Sequence, residues 1–294
     1  MSAIIFPIHF LLQLFTVSFF AGSVLVFALF KVFLPFKAMQ GPINKILDWC
    51  ESYYGVASVF WINVFNQPVW DYQLKGEPSK DNWYLLTSNH ISYLDIILIL
   101  NWSYYHIPAP KFFIKKKLLF MPLVGQACWA LDMPFMQRYS RKKIAQNPAL
   151  KNKDIETTRK HCEKYKFKPT TVINFVEGTR FTKQKLAKKP SEFQNVLPPK
   201  AGGIAFTLAS MGELFTHTID VTLQYPDNPG HVMMDMLKGK LKRIVIHVEL
   251  IPIDEALIGD YYNDEHFKAQ FQQHLNVHWL KKDKTIGEML TPQN

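Results

Sequence analysis

Cysteine is scarce in this 294-residue chain, and its three cysteines follow no spacing that suits a metal site or a redox pair. Cys50, Cys128 and Cys162 are also odd in number, which argues against a scaffold held together by disulfides. We therefore predict that the three thiols are reduced and belong to the core. The cysteines give no support to a zinc-binding or thiol-redox function.

Charged residues are absent from the first 30 positions, which contain no Asp, Glu, Lys or Arg. The run Phe10–Phe30 is long enough to cross a hydrocarbon core of about 30 Å, and we predict a membrane helix over residues 8–31. A cleaved signal peptide would begin with basic residues and carry a shorter apolar stretch. Lys31 and Lys37 follow the run with nothing positive before it, so the rest of the chain is expected on the cytoplasmic side. A buried core helix is the alternative.

A second apolar segment, Ile43–Asn66, mixes tryptophan and tyrosine with a few charges. This composition is typical of an amphipathic helix that lies at the level of the lipid headgroups, and the sequence leaves open whether the helix spans the bilayer instead. We predict that residues 1–70 form a membrane anchor, with this interfacial helix over residues 43–66. Residues 71–294 are then a separate domain.

Acidic residues are outnumbered, with 24 Asp and Glu against 34 Lys and Arg, which gives a net charge of +10. A basic protein suits nucleic acid, anionic lipid headgroups or phosphorylated substrates equally well. Nucleic acid is the least favoured of the three, because no recognised binding motif with interleaved base-stacking aromatics is present.

Beyond residue 70, short apolar runs alternate with helical stretches. This pattern predicts an α/β fold with a mainly parallel central sheet flanked by helices. The lysine-rich stretch Lys183–Lys189 is predicted to be a loop. The predicted strands are Trp83–Ser88, Lys111–Ile114, Thr171–Val176, Thr216–Pro226 and Arg243–Ile251, and the predicted helices are Ile91–Leu100, Ile155–Tyr165, Gly203–Met211 and Asp264–Leu280.

A histidine and an aspartate, His90 and Asp95, stand five positions apart in a stretch that is otherwise almost wholly apolar. A structural explanation is available, because Ser92 and Asp95 fit a capping box at the start of a helix. Residues five apart on a regular helix point about 140° away from each other. The pair can therefore meet only if His90 lies in the turn before the helix. In that arrangement Asp95 would orient the imidazole and stabilise its cation, which makes His90 a candidate general base.

A second polar cluster follows the predicted strand that ends at Val176. Gly178 allows backbone N–H groups to approach an anion closely, Thr179 adds a hydroxyl, and Arg180 offers a planar fork for bidentate phosphate contacts. Glu177 could fix the arginine or accept a substrate hydroxyl. A solvated turn with an incidental ion pair is the alternative. Sites in α/β sheets collect at the carboxyl ends of strands, where both clusters are expected.

Taken together, His90–Asp95 and Phe175–Arg180 resemble the glycerolipid acyltransferase family, which includes 1-acylglycerol-3-phosphate and lysophospholipid acyltransferases. The first stretch matches the signature H-x4-D and the second the signature F-P-E-G-T-R, with Val176 in place of the proline. This variant resembles a bacterial inner-membrane branch akin to lysocardiolipin acyltransferase-like proteins. The resemblance covers roughly residues 83–226 and the hydrophobic N-terminus.

A third stretch, Ile114–Gly125, is similar to the family's K-x-x-L-x-x-x-P-x-x-G region, which ends here at Arg138. The match implies that Lys116 and Arg138 help to hold the phosphate of the acceptor. From the residues alone, a row of lysines on a solvated or lipid-facing edge is an equal alternative. The family's fourth signature, a proline-containing strand, is replaced by Thr218–Thr222, and this region bears on the fit of the acceptor and the acyl chain.

The resemblance implies transfer of a fatty acyl group from a thioester, either acyl-CoA or acyl-carrier protein, to the free hydroxyl of a lysophospholipid such as 1-acylglycerol-3-phosphate. His90 and Asp95 would form the catalytic pair, and Glu177–Arg180 the phosphate-binding turn, with no metal and no resident cofactor. Lysophosphatidylglycerol and lysocardiolipin are alternative acceptors. Membrane phospholipid and lysophospholipid are the expected partners, at the cytoplasmic side of a bacterial inner membrane.

Two functions of other classes stay open. A catalytically silent protein could use its basic face to bind anionic lipid, although such a protein has no need of His90 and Asp95 inside an apolar stretch. A metal-dependent hydrolase could use His90, Asp95 and His106, although their spacing matches no recognisable ligand pattern.

Overall fold

The computed structural model describes residues 2–33, 36–136, 163–188, 190–261 and 263–291, together with residues 146 and 160. The centre of the molecule is a six-stranded sheet, and β4 and β5 form a separate pair. The strands are β1 (Val69–Lys75), β2 (Trp83–Ser88), β3 (Pro110–Phe112), β4 (Ile114–Lys115), β5 (Phe135–Met136), β6 (Thr171–Phe175), β7 (Phe215–Gln224) and β8 (Arg243–Pro252). The α-helices are α1 (Ser2–Phe33), α2 (Lys37–Asn66), α3 (Leu94–His106), α4 (Val124–Ala130), α5 (Lys183–Leu186), α6 (Ala201–Met211), α7 (Val232–Leu237) and α8 (Glu265–Leu290).

The six strands lie in the order β1-β8-β7-β2-β6-β3, and every neighbouring pair is parallel except β7 and β8. Parallel neighbours need crossover connections, and these place helices on the faces of the sheet. The predicted α/β fold with a mainly parallel sheet flanked by helices is confirmed. β2 lies inside the sheet between β7 and β6, which explains why its sequence is an almost continuous apolar run.

Alternate side chains of β2 enter two different hydrophobic cores, because successive residues of a strand point to opposite faces. Tyr84 and Leu86 belong to the core that includes residues of α1, α2 and α3. Leu85 belongs to the core that includes residues of α6 and α8. The sheet therefore separates the N-terminal helices from the C-terminal helix.

α1 is long and apolar enough to cross a membrane, and many of its apolar side chains point outward. It packs against α2, and α2 packs against α3. Near its start, Nδ1 of His9 lies 3.1 Å from the carbonyl oxygen of Met236. Both N-terminal helices are longer than the predicted ranges 8–31 and 43–66, and β1 begins at Val69, just before the predicted boundary at residue 71.

Lys111 of β3 joins α2 to the sheet through a buried ion cluster. Its Nζ lies 3.2 Å from Asp48 Oδ1 and 2.9 Å from Glu51 Oε2. Lys168, which is half exposed, forms a second ion pair with Asp48. α2 is thus held to the sheet by charge as well as by apolar packing.

The predicted loop at Lys183–Lys189 is wrong over its first half, because α5 occupies Lys183–Leu186. Thr182 caps this short helix, and its Oγ1 accepts a hydrogen bond of 3.2 Å from the Lys185 N–H. The helix predicted from Ile91 begins three residues later, at Leu94. Most of the helix predicted over Ile155–Tyr165 lies outside the described residues, as do Lys189 and Cys162.

Candidate active site

β2 and β6 are parallel neighbours, and Ser88 is paired with Phe175 at their carboxyl ends. The segments that leave these two strands therefore meet at one edge of the sheet. The Val176 N–H donates to the Ser88 carbonyl (3.2 Å), and the Phe181 N–H donates to the His90 carbonyl (2.6 Å). The two clusters singled out in the sequence thus lie side by side.

His90 lies in the turn between β2 and α3, and its Nδ1 is 2.8 Å from Oδ2 of Asp95. The pair can meet across five positions because α3 begins only at Leu94. Asp95 is fully buried, whereas 12% of the His90 side chain is exposed. Because Nδ1–H is directed to the carboxylate, Nε2 is left as the basic nitrogen of the ring. The ring stacks on Phe175 with centroids 4.0 Å apart.

Asp95 bonds to the backbone at the start of α3 as well as to His90. Its Oδ2 also accepts hydrogen bonds from the backbone N–H groups of Ile91 (2.6 Å) and Ser92 (2.9 Å). The Ser92 N–H bond is the carboxylate half of the predicted capping box. The other half is altered, because Ser92 Oγ accepts from the Leu94 N–H (3.3 Å), not from the N–H of Asp95. One carboxylate oxygen therefore fixes both the start of α3 and the orientation of the histidine.

The other oxygen of Asp95 accepts a hydrogen bond of 2.7 Å from the hydroxyl of Tyr225. Tyr225 follows β7 directly and is buried. Burial and the nearby Asp95 charge raise the pKa of this phenol well above its ordinary value, so it remains a neutral donor. Sequence reasoning missed Tyr225, because only the place of β7 beside β2 brings it to the site.

Glu177 bonds to the backbone of His90, whereas Asp95 bonds to its ring. Its carboxylate accepts the His90 N–H on Oε1 (3.0 Å) and the Leu197 N–H on Oε2 (3.0 Å). The pKa of Glu177 is raised to about 8, chiefly by burial and to a smaller degree by the negative charge of Asp95, while the two backbone hydrogen bonds oppose the shift. The side chain thus bonds to the main chain of the site, and a largely neutral Glu177 adds little negative charge beside Asp95.

The turn after Glu177 presents hydroxyl and cationic groups. Gly178 has φ +66°, a left-handed conformation that favours glycine. The Arg180 guanidinium lies over the Tyr93 ring, 4.1 Å from its centroid. Lys185 of α5 donates to Thr179 Oγ1 (3.0 Å) and to the Arg180 carbonyl (2.6 Å). Sequence reasoning missed Lys185, because it lies in the stretch predicted to be a loop.

Lys185 also interacts electrostatically with Lys115, a residue of the Ile114–Gly125 stretch. Partial burial lowers the pKa of Lys185, and the positive charges of Arg180 and Lys115 lower it further. Counted back from Leu118, the lysine of K-x-x-L is Lys115, one position before Lys116. Lys116 is exposed at the start of a 3-10 helix, Lys116–Phe120. Arg138 lies outside the described residues.

The structure also places two further residue sets that the sequence singled out. His106 ends α3 and stacks on Trp102 and Tyr72, so the helix separates it from the His90–Asp95 pair. Among the described residues, no group of three or more His, Cys, Asp or Glu is placed to hold a metal ion. In β7, Asp220 forms a buried ion pair of 2.9 Å with Lys282 of α8.

The sequence model of the family named Acyltransferase matches residues 72–223, which are more than half of the chain. The chain belongs to this acyltransferase family.

Individual relatives agree with this assignment. The 1-acyl-sn-glycerol-3-phosphate acyltransferase delta of Bos taurus is 25% identical over 233 residues, which cover 75% of this chain and 58% of the relative. The human protein of the same name is 25% identical over 239 residues, which cover 74% of this chain and 58% of the human protein. The 1-acyl-sn-glycerol-3-phosphate acyltransferase 2 of Arabidopsis thaliana is 24% identical, with 76% of this chain and 59% of the relative covered. The chain thus spans less than two thirds of the length of these relatives.

A solved structure shares the fold. The crystal structure of PlsC, the 1-acyl-sn-glycerophosphate acyltransferase of Thermotoga maritima, matches with a TM-score of 0.59 and 17% identity. The match covers 100% of this chain and 98% of that protein. At this identity the likeness concerns the fold.

Proposed function

We propose that the protein transfers a fatty acyl group from a thioester to the free hydroxyl of a lysophospholipid such as 1-acylglycerol-3-phosphate. The observation that carries the proposal is the buried His90–Asp95 pair, which lies beside a turn that presents Thr179 and Arg180. A general base and a cationic turn at one edge of a sheet suit an acceptor with a hydroxyl and a phosphate. The names of the relatives support the same acceptor class.

His90 acts as the general base through Nε2. As the acceptor hydroxyl attacks the thioester carbonyl, Nε2 takes the hydroxyl proton, and Asp95 stabilises the imidazolium that forms. When the tetrahedral intermediate collapses, the carbon–sulfur bond breaks and the imidazolium returns a proton to the leaving thiolate. General-base help of this kind contributes about 10²–10⁴ in rate. The thioester is already activated, so no covalent acyl-enzyme is required.

Thr179, Arg180 and Lys185 bind the acceptor phosphate, and Gly178 gives the turn the backbone conformation that it needs. Glu177 belongs to the same turn but acts through the backbone N–H of His90. Lys116 and Arg138 are proposed to assist from the neighbouring basic segment. Holding the phosphate fixes the distance between the acceptor hydroxyl and Nε2, which is catalysis by positioning.

The site is proposed to work at a membrane surface, with acyl-CoA or acyl-carrier protein as the donor. α1 carries an apolar outer face, and the charge balance of the chain is basic. We place the protein at the cytoplasmic side of a bacterial inner membrane, where a water-soluble thioester donor and a membrane lysophospholipid meet. Lysophosphatidylglycerol and lysocardiolipin are the alternative acceptors.

The test is acyl transfer by the full chain in vesicles, from labelled acyl-CoA and from acyl-carrier protein, to a panel of lysophospholipids. We expect product with the wild type and a loss of about 10²-fold or more with His90→Ala. His274→Ala, a change at an exposed histidine of α8, is the matched control and should keep full activity.

Absence of transfer with either donor, for a protein that binds anionic vesicles, would favour a non-catalytic lipid-binding role. The acceptor that gives the highest kcat/KM identifies the substrate.

A further inference from the structure

A short segment between β4 and α4 exposes an unusual amount of apolar surface. Phe120 is 77% exposed, and Leu118, Met121 and Leu123 are exposed as well. Lys115, Lys116 and Lys117 precede these residues directly and are exposed. We call the segment Lys115–Leu123 the basic-apolar turn. Contiguous exposed apolar surface on a folded protein usually marks an interaction site.

The basic-apolar turn is held in place by close packing against α4. A Cβ atom on Gly125 would come within 2.2 Å of the Leu118 carbonyl oxygen, so the absence of a side chain there permits the contact. Gln126 Nε2 donates to the Leu119 carbonyl (3.0 Å). The apolar side chains are therefore presented by a fixed backbone.

One residue of the turn is also strained. Leu123 has φ +64° and ψ −58°, and the Val124 N–H donates to the Pro122 carbonyl at 2.7 Å. This is a tight γ-turn, a conformation that is costly for a residue with a side chain. The fold maintains it although the Leu123 side chain is directed to the surface.

The basic-apolar turn is connected to α1 through α4. α4, on which the turn packs, is itself packed against α1. Lys31, near the end of α1, lies 3.8 Å from Asp132, just beyond α4. Trp129 of α4 is 66% exposed and adds an exposed aromatic ring to the element that joins the two. Tryptophan and lysine beside an apolar surface are typical of the boundary between hydrocarbon and lipid headgroups.

We propose that the basic-apolar turn is a second membrane-contacting element, separate from the N-terminal helices, and that its partner is a bilayer with anionic headgroups. Phe120 and its apolar neighbours enter the acyl-chain boundary, while the three lysines lie among the anionic headgroups. A neutral bilayer would satisfy the apolar side chains but not the lysines. A second protein surface would need to match both features.

The same element reaches the catalytic edge. Lys115 is near enough to Lys185 to lower its pKa, after the effects of burial and Arg180, and Lys185 bonds to Thr179. Membrane contact at the turn would therefore hold the cationic groups of the site at the level of the lipid headgroups. The contact itself does not depend on the proposed acyl transfer, so it is tested without an activity measurement.

The test is photo-crosslinking of the full-length protein in vesicles, with Phe120 replaced by p-benzoylphenylalanine. The matched control carries the same amino acid at Val277, which is 63% exposed on α8, on the other side of the sheet. Phe15, an exposed residue of α1, is the lipid-facing reference. Mass spectrometry then measures the fraction of the protein that is crosslinked to phospholipid at each position.

We expect a phospholipid adduct at position 120 that approaches the yield at position 15 and exceeds the yield at position 277 about tenfold or more. The yield at position 120 should fall several-fold when phosphatidylglycerol is replaced by phosphatidylcholine. A yield at position 120 no higher than at position 277 would overturn the proposal. Crosslinked protein dimers in place of lipid adducts would also overturn it, because they would assign the surface to a second copy of the chain. A yield at position 120 that is the same with phosphatidylglycerol and phosphatidylcholine would overturn it as well.

Discussion

The hydroxyl of Tyr225 lies 2.7 Å from Asp95 Oδ1, on the side of the carboxylate away from His90. Tyr225 therefore holds the group that orients the proposed base. Removing a hydrogen bond to a buried charged group costs about 1.5–3 kcal/mol, so Tyr225→Phe should lower kcat about ten- to a hundredfold. Steady-state kinetics with Tyr105→Phe, a change at an exposed tyrosine of α3, provide the control. An unchanged kcat for Tyr225→Phe would show that Asp95 needs no such support.

Glu177 makes the stability of the protein fall as the pH rises. Its pKa is raised to about 8 from an ordinary value of 4.5, so between these values the folded state binds the proton more tightly than the unfolded state. The stabilisation is complete below about pH 4.5 and is lost as the pH rises through the folded pKa, by at most about 1.4 kcal/mol per pH unit. Glu177→Gln removes this titration.

Thermal melts of both proteins in detergent, between pH 5 and 8.5, measure the effect. The Tm of the wild type should fall relative to that of Glu177→Gln across this range. Parallel curves would contradict the raised pKa. Near pH 5 the variant is expected to be less stable than the wild type, because its amide nitrogen faces a backbone N–H donor.

Lys185 is expected to matter for a phosphorylated acceptor and not for an uncharged one. Lys185→Gln removes the ammonium that bonds to Thr179 and should raise the KM for 1-acylglycerol-3-phosphate about tenfold, while kcat changes little. Lys183→Gln, an exposed lysine in the same helix, is the matched control. An equal effect on a monoacylglycerol acceptor, which has no phosphate, would refute the phosphate-binding role.

Lys111 should be far more important for stability than its half-exposed neighbour Lys168. Lys111→Met leaves the buried carboxylate of Glu51 without its cation, whereas Asp48 keeps its ion pair with Lys168. Removing the partner of a buried charge typically costs about 3–5 kcal/mol. Lys168→Met breaks a more exposed ion pair and should cost about 1 kcal/mol or less. Denaturant unfolding in detergent compares the two variants, and equal losses would contradict the prediction.

The strands around the site were predictable because their signals are local. β2 and the strand that ends at Phe175 are short apolar runs followed by polar residues, and a parallel arrangement then brings His90 and Glu177 to one edge. The start of α3 was predicted three residues early, because Ile91 and Tyr93 extend the apolar run of the helix, although Ser92 and Asp95 fit a capping box. The bonds from the Ile91 and Ser92 N–H groups to Asp95 decide that boundary.

The supporting residues were not predictable from local patterns. Tyr225 is separated from Asp95 by 130 positions, and only the pairing of β7 with β2 brings the two together. Lys185 lies in a lysine-rich stretch that favours a solvated loop, and a single threonine cap changes it into a helix. Lys111 shows the same limit, because its burial depends on two carboxylates that α2 supplies.

Because Asp95 Oδ2 has several partners, the order of the turn before α3 and the orientation of the His90 ring depend on each other. The oxygen that receives the Ile91 and Ser92 amides is also the one that orients His90, so the first turn of α3 cannot fray without releasing the imidazole. Under the proposed mechanism, a molecule whose turn is open has lost its oriented general base even if the rest of the domain is intact. The hydrogen-exchange protection of these two amides therefore measures the fraction of molecules that are ready to react.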